Sequence, residues 1–214
     1  MKKTFIFVLV FLASCQSTSI NTIGQPIKAF VISEQCLHVC WLGINPGVTS
    51  VKDAEALLQA SNQIENKTIV RSEDGIQVLW TTGGVENLYT SVSLKLRDDT
   101  IQTIHFTNLS LRLDDFMVLL GEPYEISIHV EPADNRSIIY TLYYPASKTM
   151  IYSISGGPEG PKPGDFIDIL SLNAEFDGID LPVWRANDYE NRQPWLGYGH
   201  NKDYLPGQEI PTEP

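Results

Sequence analysis

The sequence predicts an α+β fold of two tandem units, each one helix followed by an antiparallel β-meander. Apolar residues recur at helical spacing at two places, residues 51–58 and 113–120. Each stretch is followed by short runs in which apolar and polar residues alternate, separated by turn residues. The order of elements therefore occurs twice, although the residues themselves barely repeat.

Pro26 to Ile32 reads as a first extended segment, and Trp41-Leu42-Gly43-Ile44-Asn45-Pro46-Gly47 as a turn-rich entry to the first helix. Ser50 is a good helix N-cap with Asp53 three residues on, and Val51, Ala54, Leu57 and Leu58 mark one apolar face, so helix one spans about 51 to 61. Thr68 to Arg71 and Ile76 to Trp80 flank Asp74-Gly75, a hairpin signal. Leu88 to Arg97 alternates, with Val92, Leu94 and Leu96 on one face and Ser91, Ser93 and Lys95 on the other. Asp98-Asp99 then turns the chain into Ile101 to Phe106.

The second unit opens at Arg112 to Leu120, where Leu113, Phe116, Met117 and Leu120 share a face. Asp114 and Asp115 stand in the first turn, where the helix dipole favours acids; Gly121 stops the helix and Pro123 prevents its continuation. Strands follow at Tyr124 to Val130, Ser137 to Tyr144, Met150 to Ser155 and Asp165 to Leu172, with a Gly/Pro loop at 155–164. The tail from Gly178 is dotted with proline but carries Trp184, Trp195, Tyr198 and Tyr204. Aromatics of this size belong against an apolar surface, so the tail is expected to pack across the domain, or else to offer an aromatic surface to a partner or sugar.

The first fifteen residues give an address. Lys2 and Lys3, an apolar run from Phe5 to Leu12 and the small residues Ala13 and Ser14 have the layout of a secretory signal peptide. The run is too short to span a bilayer, which takes about 20 apolar residues. Leu12-Ala13-Ser14-Cys15 resembles the lipobox of bacterial lipoproteins. The resemblance implies cleavage before Cys15 and acylation of that cysteine, with several acyl chains holding the protein firmly, since one chain gives only marginal binding. Residues 1–14 are then the signal peptide, 15–25 a polar tether, 26–110 and 111–177 the two units, and 178–214 a C-terminal arm.

With Cys15 assigned to lipid, Cys36 and Cys40 remain as an even pair. Outside the cytosol a disulfide between them is the default. A metal reading would enlist His38 between the two thiols, but a structural zinc needs a fuller ligand set than lies nearby in sequence. The formal charge is −11, from 15 basic and 26 acidic residues. Such a chain lacks the clustered cations that nucleic acid needs and has no polybasic patch for anionic lipid, so membrane attachment is expected through lipid on Cys15 alone.

Gly47-Val48-Thr49 before the first helix and Leu119-Leu120-Gly121-Glu122-Pro123 after the second are similar to the Gly-x-Thr, helix, Leu-Gly-x-Pro signature of the small outer-membrane-assembly lipoproteins and the β-lactamase-inhibitor-protein-like fold. The two halves stand on different helices, as a tandem version of that fold would place them. The Cys36 to Gly47 opening also looks similar to that of many uncharacterised bacterial lipoproteins. The resemblance covers roughly residues 36 to 155 and implies an α+β domain that binds other proteins or envelope components, with no catalytic residues to transfer.

No constellation in the sequence carries chemistry. His38, His105, His129 and His200 are far apart and form no His-x-x-x-His pair. Ser153-Ile154-Ser155-Gly156-Gly157 lacks the leading glycine and following helix of a nucleophile elbow. Asp98-Asp99, Asp114-Asp115 and Asp177-Asp180 lack the alternation of a calcium loop, and Asp165 and Asp168 fall on opposite strand faces. The expectation is a lipid-anchored, non-enzymatic protein outside the cytosol, held at the cell membrane or outer membrane, with no cofactor, no metal and a binding or scaffold role toward another envelope protein. The rival is a surface hydrolase or carbohydrate-binding protein whose site forms only on folding.

Overall fold

Strands from the two halves of the chain pair with each other. A computed structural model describes residues 30–32, 39–64, 67–81, 89–109, 111–130, 138–155, 160–175, 191–199 and 201–204. In chain order these form β1 (Phe30–Ile32), β2 (Val39–Trp41), α1 (Val51–Ala60), β3 (Thr68–Arg71), β4 (Gly75–Thr81), β5 (Tyr89–Arg97), β6 (Thr100–Thr107), α2 (Leu113–Leu120), β7 (Glu125–Val130), β8 (Ile138–Tyr144), a 3-10 turn (Pro145–Ser147), β9 (Thr149–Ser155), β10 (Ile169–Asn173), β11 (Gln193–Pro194) and α3 (Asn201–Tyr204). β1 and β2 make a small ribbon; the other strands join one nine-stranded sheet in the order β11-β7-β8-β9-β10-β6-β5-β4-β3. Every pairing in it is antiparallel. Among the described residues, no helix is long and apolar enough to cross a membrane.

The expected fold class, α+β with two tandem units of one helix followed by an antiparallel β-meander, is corrected by this sheet. β6 and β10 pair with each other over Thr107↔Ile169 to Thr103↔Asn173, which fuses the two runs of strands into a single sheet. The protein is therefore dominated by one large sheet over one shared core. The physical reason is that alternation along a strand fixes which side chains face the core but does not name the strand that fills its free edge. β6 and β10 each had an edge open to the other.

One face of the sheet carries the core. Ile76 and Val78 of β4, Val92 and Leu94 of β5, Ile104 and Phe106 of β6, Leu170 and Leu172 of β10, Ile151 of β9 and Tyr140 and Leu142 of β8 are all buried in a single cluster. α1 adds Val51, Ala54 and Leu58, and α2 adds Leu113 and Phe116. Trp41 of β2 meets Phe106 edge-on, with ring centroids 5.1 Å apart at 86°. This ring contact locks the segment before α1 onto the middle of the sheet.

Each helix solves its N-terminal problem differently. Ser50 caps α1: its hydroxyl oxygen accepts from the Asp53 amide at 3.2 Å and its O–H donates to the Asp53 carboxylate at 2.8 Å. α2 begins after Arg112, which makes no side-chain cap. Its free amides go to the returning loop before β10, where the Asp165 carbonyl accepts from Leu113 at 2.8 Å and the Pro163 carbonyl from Asp114 at 2.9 Å. The loop read from sequence as a connection is also the cap of a helix. The final strand starts later than expected, at Ile169 and not Asp165, because residues 163–167 are committed to α2 and to the Ile167 amide bond with the Leu111 carbonyl, 2.9 Å.

The described part of the C-terminal arm lies on the body. Tyr204 is 2% exposed; the Gln193 side-chain amide donates to its carbonyl at 3.0 Å and the Leu196 amide to its hydroxyl at 2.5 Å. β11 adds two residues to β7, through Gln193↔Ile126 and Pro194↔Glu125.

Gly75 is the tightest backbone approach in the sheet. A Cβ there would overlap the Leu94 carbonyl oxygen and stand 3.2 Å from its carbon, and backbone cannot turn aside as a side chain can. Gly75→Ala is expected to lower stability by about 1–3 kcal/mol in urea unfolding, as overpacking does; an unchanged midpoint would show that β4 and β5 have room to separate.

Candidate binding site

Five buried side-chain polar atoms among the described residues lack a hydrogen-bond partner: Asn45 Oδ1, Asp114 Oδ1, the Tyr144 hydroxyl, Asn173 Oδ1 and Trp195 Nε1. Each such group costs about 1–3 kcal/mol relative to a satisfied one. Three of them belong to residues that bear on Tyr198: Trp195 meets its ring, and Asp114 and Tyr144 interact with it electrostatically.

The elements place these residues. Tyr144 ends β8 on the core face and is 5% exposed. Asp114 and Met117 lie three residues apart on α2 and so share a face, against which the arm runs. The Tyr198 hydroxyl donates to Met117 Sδ at 2.7 Å, a weak acceptor. Trp195 meets Tyr198 edge-on at 5.5 Å and 86°, and its backbone amide donates to the Tyr124 carbonyl at 3.1 Å. The Asp165 carboxylate, one residue from Phe166 in the loop that caps α2, accepts from the Lys162 amide at 2.8 Å.

The electrostatics have one sign. Burial, then Asp114, Asp165 and Glu122 in that order, push the Tyr198 phenol up to about 12 from its ordinary 10.0. Tyr144 is raised as well, first by burial and then by Tyr198 and Glu122. Trp195, Tyr198, Asp114 and Asp165 are half-buried and Glu122 is exposed. The Asp114 Oδ1, Tyr144 hydroxyl and Trp195 Nε1 atoms themselves are buried. Among the described residues, no group of three or more His, Cys, Asp or Glu is placed to hold a metal ion.

The opposite face of the sheet is more polar. One register row crosses all nine strands as Val70, Gln77, Ser93, His105, Ser171, Met150, Tyr143, Glu125 and Pro194. His105 Nδ1 and Ser171 Oγ are 2.6 Å apart in this row. Ser171 is fully buried, so a substrate carbonyl has no approach to its hydroxyl. Toward β11 the row turns aromatic: Ser127 Oγ and the Tyr143 hydroxyl are 2.9 Å apart, and Arg192 pairs with Glu125 at 3.0 Å while its guanidinium stands 5.7 Å from the Tyr143 ring centre.

His129 sits on the same face of β7, but three strands separate β7 from β6, so the two histidines share no site. Cys40 is 1% exposed in β2 and disulfide-bonded. Cys15, Cys36, His38, Asp177, Asp180, Trp184 and His200 lie outside the described residues. Asp98 and Asp99 form the β5–β6 turn, both with left-handed φ, 51° and 62°. Sequence reasoning singled out Asp114, Trp195 and Tyr198 for other reasons and passed over Tyr144 as an ordinary strand residue. A tyrosine ending a strand in which every residue but Thr141 is apolar or aromatic was the available signal.

Because the Tyr198 phenol is held above its unfolded value, the folded state keeps its proton longer than the unfolded chain does. The stability this gives is whole below pH 10 and is lost as pH rises toward about 12. Chemical denaturation across that window is expected to show a falling midpoint, shallower in Tyr198→Phe than in the wild type; identical slopes would place the Tyr198 phenol in ordinary solvent.

Set against known protein families, curated proteins and solved structures, the chain matches none of them.

Proposed function

We propose that this is a lipid-anchored, non-enzymatic binding protein of the cell envelope, whose partner engages the protein where the C-terminal arm crosses α2 at Tyr198. The single observation that supports the binding role is that Asp114 Oδ1, the Tyr144 hydroxyl and Trp195 Nε1, all on residues that bear on Tyr198, are buried and unpartnered. A fold rarely leaves several such groups without something to satisfy them. The lipobox-like Leu12 to Cys15 supports the anchor, with the polar stretch that follows as tether and a Cys36–Cys40 disulfide closing the segment ahead of Trp41.

Two experiments test this proposal. In cells fed a clickable fatty acid, the wild type is expected to carry label and Cys15→Ala to carry none; label retained by the variant removes the anchor. For the binding site, an envelope extract is expected to raise the melting temperature of the wild type by a few degrees through ligand linkage. Tyr144→Phe, which deletes an unsatisfied hydroxyl, is expected to be at least as stable as the wild type without extract, yet to gain less from it. Equal gains in both proteins, or none in either, would overturn the Tyr198 region as the place of binding.

A further inference from the structure

We infer that β3 is the seam of a symmetric dimer, in which it pairs with β3 of a second copy so that Val70 meets Val70 at the centre. β3 ends the sheet at the side opposite the C-terminal arm, so this surface is independent of the partner site at Tyr198. Among the described residues, no strand pairs along its outer edge. Thr68, Val70 and Arg71 are exposed, Val70 by 51%.

The ladder fixes which backbone groups that edge presents. The Ser72 amide donates to the Gly75 carbonyl at 2.8 Å, which makes Ser72 and Gly75 a hydrogen-bonded pair. Bonded and non-bonded pairs alternate along an antiparallel ribbon, and the register of β3 on β4 is unbroken from Arg71↔Ile76 to Thr68↔Leu79. The amides and carbonyls of Thr68 and Val70 therefore turn to β4, and those of Ile69 and Arg71 turn outward. Edge groups of this kind are a template for a further strand.

A second β3, antiparallel and with the same face up, matches them. Ile69 of each copy exchanges both backbone bonds with Arg71 of the other. This leaves Val70 opposite Val70 at the non-bonded position, where Cα atoms stand about 4.5 Å apart. Both valines lie on the outer face, and Leu79, paired with Thr68 and 36% exposed, is diagonal to each. Continued beyond the strand, the same register brings Lys67 toward Glu73 of the other copy, with opposite charges at both ends of the seam. Sliding one copy by two residues sets Lys67 against Arg71 in one direction and Arg71 against Arg71 in the other, both pairs of like charge. Sliding it by one residue turns a core face to solvent.

The pairing uses β3 of both copies and closes on itself, while Pro194 at the other end of the sheet has no amide to offer, so assembly stops at two. Four residues a side fall short of the about 1,200 Å² of a standard interface, so association is weak and appears at high concentration.

Sedimentation of the full-length protein across a concentration series is expected to show a mass rising toward twice that of one chain and no further. Val70→Glu, which sets two carboxylates face to face on an exposed site, is expected to weaken association at least about tenfold with a melting temperature close to that of the wild type. Under mild oxidation Val70→Cys is expected to form a disulfide-linked dimer, because its Cα atoms fall in the range a disulfide spans. Thr68→Cys alone is not, since the two copies of residue 68 lie about 13 Å apart along the strands, whereas Thr68→Cys mixed with Ser72→Cys is. A wild type still monomeric at about 1 mM overturns the dimer. Association that Val70→Glu leaves unchanged, or that grows past two chains, overturns β3 as its seam. Thr68→Cys cross-linking as readily as Val70→Cys overturns the register.

Discussion

The pairing of β6 with β10 is the constraint on which the rest of the molecule depends. It joins strands 66 residues apart at His105 and Ser171, and it makes one sheet of the two tandem units that were expected. Phe106 and Leu170 meet across it on the core face, and Trp41 packs onto Phe106 from above. The same closure brings the segment before β10 back past α2, where its carbonyls satisfy the helix amides that Arg112 leaves open. Without the seam, α2 would start with buried donors facing nothing, a cost that recurs at each orphaned amide.

The cluster around Tyr198 is a product of that geometry and not of any local motif. α2 is held by the returning loop at its start and by the apolar contacts of Leu113 and Phe116 along its length. This orientation leaves the Asp114 and Met117 face for the C-terminal arm to cover. The arm in turn is fixed by the pairing of β11 with β7 and by buried Tyr204, which accepts hydrogen bonds from Gln193 and Leu196. Tyr198 is therefore positioned from two sides, by Met117 of α2 and by Trp195 of the arm. The polar atoms left unpaired there lower stability, and that loss is tolerable because the core on the sheet's inner face is continuous from β4 to β8.

The local structure was largely legible from the sequence, and the long-range structure was not. Ser50 with Asp53 announced α1, Asp74-Gly75 announced a hairpin, and Val92 and Leu94 announced the buried face of β5, because capping, turn chemistry and pleat act within a few residues. The seam between residues 103–107 and 169–173 depends on which free edges meet, and neither strand's pattern encodes its partner. The candidate site was legible only as parts. Asp114 was accounted for by the helix dipole and Trp195 and Tyr198 by packing of the arm, and each account is locally sufficient. Only the fold places Tyr144 beside them, from the far end of a strand in which every residue is buried.

The two ends of the sheet differ in chemistry. β11 closes one end with Pro194, which has no amide to give, and with Arg192 tied to Glu125 beside it. β3 closes the other as four residues, largely exposed, with Val70 at 51% and Arg71 bound to Glu55 of α1 at 3.1 Å. A sheet that can accept a further strand at both ends can polymerise, because each added copy presents a fresh edge. With proline at one end, a head-to-tail chain of copies has no second acceptor of the same kind. The arm that carries Tyr198 thus also acts as a chain terminator for the sheet, so that one segment both completes the edge and closes it to further copies.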